Sequence, residues 1–266
     1  MEELRKLSEG EKLSSLEEKK VLATTARHNV TVDEAVALYL WSVSSVSIQY
    51  SITKNTDTYI SGVLRTLEQQ LTQKVLLQKE KETLLALVRS MVPAMKRNCL
   101  KSKCYKESLI KHSKHLQSFY EAGRIATSKK KEVRVSVLSA IRKINIATSA
   151  ALIIPLIHSA IKKHVNDEPL TVYRAMKQET GTGTRLENHG FMSASKTKES
   201  SFAKYDTYKF IMEIHVPKNT PCMDISEFSA YDNVEQEILF LSNIICLSDK
   251  KSQDGRIYAT GQLRSL

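Results

Sequence analysis

The sequence has few of the residues that build metal sites or disulfide-stapled folds. Only four of its 266 residues are cysteine, and they form no Cys-x-x-Cys pair and have no accompanying histidine spacing typical of zinc ligands (Cys99, Cys104, Cys222 and Cys246). We therefore expect reduced, structural thiols and no metal. No internal repeat or low-complexity tract is present either, and the composition, with 41% hydrophobic residues, is that of a globular protein.

An export signal is also missing from the start of the chain. The first twenty residues, MEELRKLSEGEKLSSLEEKK, carry acids where a secretory signal needs a basic segment followed by an apolar run. Two uncharged stretches, 35–52 and 144–161, are long enough to raise the question of a membrane span. Both contain polar residues and the second contains Pro155, so we interpret them as buried helices. The prediction is a protein without a transmembrane segment that is cytoplasmic, or that is delivered into a host cell without a conventional signal peptide.

Acidic residues are scarce in one part of the chain only. Up to Asn166 there are 28 basic and 15 acidic residues, a net charge of +13, against 12 and 14 after it. The excess is greatest between residues 89 and 143, with 15 Lys or Arg and three Glu. This stretch is either a solvated helical face or a surface that binds an acidic protein, a phosphate polymer or a membrane. Its few aromatic residues (Tyr105, Phe119 and Tyr120) do not provide a base-stacking platform.

Helical periodicity extends from Glu2 to about residue 165. Glycine occurs there only three times, and apolar residues recur in steps of three and four, as they do over 60–71. Thr31 and Glu34 form a capping box, the start signal of the helix that contains AVALYLWSV. We expect this helix to pack on the later domain.

After Pro169 the sequence changes to short β-rich runs separated by polar turns: LTVYRA, GFMSAS, YKFIMEIHV, NVEQEILFL and NIICL. The predicted fold class is α+β. The predicted domains are an N-terminal helix (1–30), a helical region (31–168) with a basic insertion at about 89–143, and a β-rich core (169–266).

Two carboxylates lie within one of these runs, YDNVEQEILF. If 234–241 is a strand, Glu235 and Glu237 share a face and lie about 7 Å apart. Because unpaired buried carboxylates are costly, the pair indicates a cleft with cationic or hydroxyl-bearing neighbours. Paired acids are also typical of glycosidic-bond chemistry, in which one stabilises an oxocarbenium-like centre and the other handles a proton. Spacing alone leaves both a catalytic pair and a salt-bridged strand open.

Three motifs in order, VYRAM (172–176), GFMSAS (190–195) and EQE (235–237), resemble the signatures of mono-ADP-ribosyltransferases of the Arg-Ser-Glu class. The segments FAK, FIMEIHVPK and SAY between them are similar to those of actin-modifying binary toxins and C3-like exoenzymes. The resemblance covers residues 169–266, is weaker for the helix after residue 31, and is absent from 89–143. It implies a helical region followed by a core of two packed, roughly perpendicular β-sheets that binds NAD.

The resemblance also implies roles for five residues. Arg174 would hold the NAD phosphates, a task that suits the bidentate guanidinium. Ser193 would orient the catalytic glutamate and the nicotinamide ribose, and Ser195 would support the strand. Glu237 would bind the ribose hydroxyl and stabilise positive charge as the nicotinamide bond breaks. Glu235 would steer and deprotonate the attacking group.

Three further assignments depend on the resemblance. Phe202 matches the aromatic residue of the loop that covers nicotinamide, and Gln178 matches an NAD-contacting glutamine after a one-residue shift. Tyr231 lies where the family presents an aromatic residue to its protein target. The sequence departs from the family at Ala194, where the middle hydroxyl of an STS motif is missing, and at Tyr205, which replaces a second phosphate-binding arginine.

The sequence therefore predicts an NAD-dependent mono-ADP-ribosyltransferase, with NAD as co-substrate and arginine on a protein as the acceptor, since the ExE form accompanies arginine in this class. NAD hydrolysis without an acceptor is one alternative. Another is a basic binding protein in which the transferase fold is inactive. A nucleic-acid acceptor also stays open, because the first half of the chain is strongly basic.

Overall fold

The computed structural model describes residues 2–8, 12–52, 56–73, 78–101, 131–177, 185–199, 207–229 and 236–265. Within them, six helices come first: α1 (Glu2–Ser8), α2 (Ser15–Arg27), α3 (Val32–Ile52), α4 (Thr56–Gln73), α5 (Gln78–Lys101) and α6 (Lys131–Lys162). Eight strands follow: β1 (Leu170–Met176), β2 (Arg185–Asn188), β3 (Met192–Ser195), β4 (Phe210–Val216), β5 (Cys222–Asp224), β6 (Glu237–Phe240), β7 (Asn243–Gln253) and β8 (Arg256–Ser265). The predicted α+β class, with a helical N-terminal region, is confirmed.

Helix α3 begins with the predicted capping box. The backbone N–H of Thr31 donates to Glu34 Oε2 at 2.7 Å, and the N–H of Glu34 donates to Thr31 Oγ1 at 3.2 Å. Two donors that a helix start leaves unpaired are thereby satisfied. The same Glu34 oxygen accepts a hydrogen bond from Lys163 Nζ at 2.7 Å. The start of α3 is thus fixed to the residue that follows α6, and α3 itself is interrupted later by non-helical dihedrals at Ser44.

Of the described chain, residues 2–20 and 43–156 form one compact unit. Its apolar cluster comes from α4, α5 and the first half of α6, where side chains three and four residues apart line one face of each helix. The buried members are Ile60, Leu67, Leu71, Leu84, Leu85, Val88, Met91, Met95, Val133, Val137, Ala140, Ile141 and Ile144. The helical periodicity predicted for 60–71 is therefore confirmed.

The second compact unit comprises residues 21–42 and 157–265 of the described chain. It contains all eight strands, hydrogen-bonded in the order β2-β7-β8-β4-β1-β3-β6-β5. Neighbouring strands are antiparallel except β4 and β8, which run parallel. The domain limits predicted at residues 30 and 168 stay predictions, and this unit includes helical residues on the N-terminal side of both.

The sheet consists of two groups of strands that meet at one position. Strand β1 pairs with β4 along its whole length, from Leu170 to Met176. With β3, by contrast, it pairs only through Tyr173 and Ser195. Strand β3 in turn pairs with β6 at each of its four residues. The strands described form one connected series, so the pair of packed, perpendicular sheets stays a prediction.

The core of this unit lies on one face of the strands. In β4 the side chains of Phe210, Met212, Ile214 and Val216 alternate onto that face and are buried. They pack with Val172 of β1, Met192 and Ala194 of β3, and Ile238 and Phe240 of β6. Each such apolar side chain contributes about 1.5 to 3 kcal/mol when fully buried. This apolar face fixes which residues of β3 and β6 point to the opposite side.

Both uncharged stretches lie in helices with buried faces, in α3 and α6, as predicted. Among the described helices, Val135–Lys162 is long and apolar enough to cross a membrane by length and composition, with a hydropathy of 1.7. Half of that stretch is buried inside the protein, and Pro155 lies within it. Core helices have the same properties, so the feature is weak evidence for a membrane span.

Candidate active site

Strands β1, β3 and β6, which carry the three motifs, lie side by side. Tyr173 is the register partner of Ser195, and Ser195 is the register partner of Glu237. The sheet therefore brings together segments that are far apart in the sequence. Arg174, Ser193 and Glu237 interact directly, as described below.

Glu237 is the first residue of β6 and only 6% of it is exposed. Its carboxylate accepts a hydrogen bond from the Ser193 hydroxyl and another from Trp41 Nε1, the latter at 3.1 Å. Burial raises the pKa of Glu237; the hydrogen bonds from Ser193 and Trp41 and the positive charge of Arg174 oppose that rise without cancelling it. A buried acid with a raised pKa beside a fixed cation is typical of functional sites.

Arg174 lies near the end of β1. Its guanidinium Nη1 donates to the backbone carbonyl of Ser193 at 2.6 Å. Burial lowers the pKa of Arg174, and the negative charge of Glu237 opposes that change. Because arginine keeps its proton in proteins, the site holds a permanent cation next to the carboxylate.

The two serines of β3 share the face that carries Glu237, whereas the residue between them points the other way. Ser193 is half-buried and bonds to Glu237, and Ser195 is 9% exposed opposite Glu237 in register. Ala194 is 3% exposed and belongs to the apolar cluster. This explains the departure from an STS motif, because a hydroxyl at position 194 would be buried among apolar side chains.

Within the described part of the strand predicted over 234–241, Gln236 does not have extended dihedrals. Gln236 has φ of 42°, in the left-handed region that non-glycine residues seldom adopt, and β6 begins only at Glu237. The carbonyl of Gln236 accepts from the N–H of Lys196 at 3.1 Å, and that of Glu237 accepts from the N–H of Ile225 at 2.9 Å. Strand alternation therefore does not put Glu235 on the face of Glu237, since the residue between them is not extended.

Trp41 belongs to the site although the sequence did not indicate it. The indole is 3% exposed and packs edge-to-face against Phe191, just before β3, with ring centroids 5.4 Å apart. This contact and the bond to Glu237 confirm that helix α3 packs on the β-rich core. Trp41 is the only tryptophan in the chain, which was the one available signal, but no spacing relates it to the three motifs.

Four predicted site residues lie outside the residues that the structure describes: Gln178, Phe202, Tyr231 and Glu235. Tyr205 is outside them as well. Within the described residues, no group of three or more His, Cys, Asp or Glu side chains is placed to hold a metal ion. The arrangement that is described combines a buried carboxylate, a hydroxyl donor and a guanidinium. It suits a substrate that has anionic phosphates at one end and develops positive charge at the other.

Residues 131–244 match the model of one protein family, the ADP-ribosyltransferase exoenzymes. The matched region contains β1, β3 and β6, so the similarity to ADP-ribosyltransferases that the three motifs predicted is confirmed. Enzymes of that family transfer ADP-ribose from NAD.

Several solved structures are distantly similar. C3stau2 from S. aureus, solved with NAD, is 16% identical, with a TM-score of 0.37 over 45% of this chain and 72% of that one. The Clostridium limosum C3 exoenzyme is 15% identical, with a TM-score of 0.37 over 67% and 94% of the two chains. Plx2a, an ADP-ribosyltransferase toxin from Paenibacillus larvae, is 14% identical, with a TM-score of 0.36 over 77% and 96%. No curated protein sequence matches the chain.

Proposed function

We propose that the protein is a mono-ADP-ribosyltransferase that transfers ADP-ribose from NAD to an arginine side chain of a protein. The observation that carries the proposal is the buried carboxylate of Glu237, hydrogen-bonded by Ser193 and next to the guanidinium of Arg174. The family's signatures require an arginine, a serine and a glutamate in this order along the chain. Here they lie on the neighbouring strands β1, β3 and β6.

The reaction exchanges one bond at the anomeric carbon of the nicotinamide ribose for another. The glycosidic bond to the nicotinamide nitrogen breaks, and nicotinamide leaves as a neutral ring that takes the bonding electron pair. A nitrogen of the acceptor guanidinium forms the new bond and gives up one proton. No general acid is needed, because the leaving group is already cationic in NAD. The protein's tasks are therefore to stabilise positive charge on the ribose and to take the acceptor's proton.

Glu237 performs the first task. Its carboxylate lies in a buried setting, where an interaction with a developing cation is much stronger than in water. The hydroxyl of Ser193 holds the carboxylate in orientation. Burial raises the pKa of Glu237, so the developing positive charge of the sugar meets a carboxylate whose charge is only partly compensated.

Arg174 binds the pyrophosphate of NAD. The hydrogen bond from Nη1 to the carbonyl of Ser193 fixes the orientation of the planar guanidinium. The directions of its other N–H groups are fixed with it. A planar, permanently charged donor set matches phosphate oxygens in pairs. Since Ser193 also bonds to Glu237, the same residue of β3 connects the phosphate-binding group with the group that faces the ribose.

The remaining roles follow from the sequence motifs. Glu235 takes the proton of the acceptor, and its negative charge favours a cationic guanidinium as acceptor, which is why the ExE sequence supports arginine. Phe202 covers the nicotinamide, Gln178 contacts NAD and Tyr231 contacts the target protein. The excess of basic residues over 89–143 supports binding of an acidic partner or a nucleic acid by that stretch. The description of the family as exoenzymes favours delivery into a host cell over action in the cytoplasm of the producing cell.

The test is an incubation of the purified protein with labelled NAD and a cell lysate. The wild type is expected to release nicotinamide and to label protein; Glu237→Gln should do neither, and Glu235→Gln should lose labelling but keep NAD cleavage. Glu213→Gln is a matched control, because Glu213 lies on β4, outside the site, with a side chain 44% exposed. A label that survives acid and is removed by hydroxylamine identifies arginine.

Three outcomes contradict the proposal. Labelling by the Glu237→Gln protein at the wild-type rate would show that the carboxylate of Glu237 is not needed for transfer. Nicotinamide release without any labelled macromolecule would make the protein an NAD glycohydrolase. A label on nucleic acid, lost on nuclease treatment, would replace the protein acceptor with a base.

A further inference from the structure

The only tryptophan of the chain contacts the carboxylate on which the proposed reaction depends. Trp41 Nε1 donates to Glu237 Oε1 at 3.1 Å, and both residues are buried, at 3% and 6% exposure. The two residues belong to the same compact unit. A hydrogen bond to an ionised group is worth more than one between neutral groups, and more again where water is excluded.

The indole is held from two directions. Its ring meets Phe191 edge-on, with an interplanar angle of 89°, and Phe191 directly precedes β3. At the other end of the same helical segment, Glu34 closes the capping box and pairs with Lys163. Rotation or sliding of the helix would break these contacts together. Trp41 therefore presents its N–H to Glu237 from a fixed direction.

Three groups face Glu237 among the described residues: the hydroxyl of Ser193, the guanidinium of Arg174 and the indole of Trp41. The indole differs from the guanidinium in having no charge, and from the hydroxyl in being unable to accept a hydrogen bond. No ion pair joins Glu237 to a basic side chain within the described part of the chain; Arg174 instead bonds to the carbonyl of Ser193. An uncharged donor that cannot accept a hydrogen bond favours the ionised carboxylate without neutralising it. That combination suits a group required to stabilise a transient cation.

We propose that Trp41 is a positioning residue for the reaction: its indole N–H fixes one oxygen of Glu237 and sustains the carboxylate charge, without itself contacting NAD. This inference rests on the proposed function of Glu237. It explains why an apolar helix outside the three motifs carries the single tryptophan of the chain at this position.

The first test compares rates of NAD cleavage. Trp41→Phe keeps an aromatic ring and removes the donor, so kcat should fall about tenfold while KM for NAD changes little. The acid limb of the pH–rate profile should move to higher pH, because a donor that favours the ionised acid has been lost. Glu213→Gln is the matched control: Glu213 lies on β4, outside the site, so kcat and the acid limb should stay in place. An unchanged kcat and acid limb in Trp41→Phe would overturn the proposal.

A second form of the test avoids a folding defect. Because the chain has a single tryptophan, biosynthetic replacement of tryptophan by benzothienylalanine changes only position 41. That residue has nearly the shape of tryptophan but has sulfur in place of the N–H. The same fall in kcat and the same shift of the acid limb are expected. Wild-type kinetics in this protein would assign Trp41 a packing role only.

The third measurement needs no enzymatic activity and so separates this inference from the proposed function. Emission of the sole indole is recorded from neutral to acid pH. In the wild type it should change as Glu237 takes up its proton, and in Glu237→Gln that change should be absent. A pH-independent emission in the wild type, or the same titration in Glu237→Gln, would contradict the inference. If the emission of Trp41 follows the protonation of Glu237 but the protein does not cleave NAD, the contact between the two residues stands and only the proposed function is contradicted.

Discussion

Among the described residues of the unit that contains the sheet, Glu34 and Glu237 are the two buried glutamates, at 2% and 6% exposure, yet their pKa values shift in opposite directions. Burial favours a higher pKa in both. At Glu34 the hydrogen bonds from Lys163, Ser159 and Thr31 outweigh burial and the pKa is lowered. At Glu237 the bonds from Ser193 and Trp41 and the charge of Arg174 do not outweigh it, and the pKa is raised.

Glu34 has the partners of a structural carboxylate, and Glu237 has those expected of the reactive carboxylate that we propose. Glu34 has a lysine ammonium at 2.7 Å and a backbone N–H at the same distance, so little of its charge is available to anything else. Glu237 has two uncharged donors and a guanidinium bonded elsewhere. Depth of burial alone would not distinguish the two residues, whereas the nature of their partners does.

The largest expected effect is on catalysis. Glu237→Gln should lower the rate of NAD cleavage by about a hundredfold or more, because an electrostatic interaction with the transition state is lost. Glu34→Gln should leave the rate of the folded enzyme unchanged. Nicotinamide release, normalised to folded protein, measures both. Equal losses in the two variants would erase the distinction between the two carboxylates.

Stability should respond in the opposite order. Glu34→Gln keeps a capping-box residue, since glutamine also serves at this position, but loses the charge that pairs with Lys163. We expect the free energy of unfolding to fall by about 2 kcal/mol. At Glu237 the hydrogen bonds and the charge of Arg174 do not fully offset the cost of burying the ionised carboxylate. Glu237→Gln removes that charge, so the free energy of unfolding should not fall at neutral pH. Denaturant titration of both variants provides the values, and a destabilised Glu237→Gln protein would contradict the account.

The pH dependence of stability should also differ in sign. The lowered pKa of Glu34 means that its ionised form contributes stability above the unfolded-state value of about 4.3, and that this contribution is lost as pH falls through the folded-state pKa. The raised pKa of Glu237 means that its ionised form costs stability above the unfolded-state value, and that the cost disappears below it. The Tm of Glu34→Gln should therefore lie below the wild type at neutral pH and approach it in acid. The Tm of Glu237→Gln should lie above the wild type at neutral pH and converge on it near about pH 4.

The smallest expected effect concerns a polar group without a partner. Ala194→Ser restores the middle hydroxyl of the family's STS motif but puts it on the apolar side of β3, which should cost about 1 to 2 kcal/mol. NAD cleavage should be unaffected, because Ser193 and Ser195 are unchanged on the other face. Thermal unfolding measures the loss of stability, and nicotinamide release measures the rate of NAD cleavage. A gain in activity would show that position 194 reaches the site after all.

Much of this arrangement could be predicted because it depends on local signals. The capping box at Thr31, the apolar spacing over 60–71 and each of the three short motifs depend on residues that are close to one another in sequence. Strands β2, β5 and β8 were missed: β2 and β5 are very short, and β8 contains Gly261, which weakens a strand pattern. Glycine is needed there, since a Cβ would meet Ile245 Cγ2 at 2.8 Å and the carbonyl oxygen of Cys246 at 3.1 Å.

The failures inside the site have a different cause. No residue type in EQE signals the left-handed dihedral of Gln236. The bond from Trp41 to Glu237 joins a helix and a strand that are 196 residues apart, and such a contact has no periodicity. Sequence motifs thus predicted the candidate reacting groups, whereas the contact of Trp41 with one of them became visible only in the fold.

The single register pair between β1 and β3 has a consequence for how the protein loses activity on heating. Strands β3, β6 and β5 pair with one another along their lengths, but among the described residues their one register pair with the other five strands is Tyr173–Ser195. Such a group can open as a cooperative unit below the global melting temperature. That opening would part Glu237 and Ser193 from Arg174, so inactivation should precede loss of helical signal, and the backbone amides of β6 should exchange with solvent before those of β4.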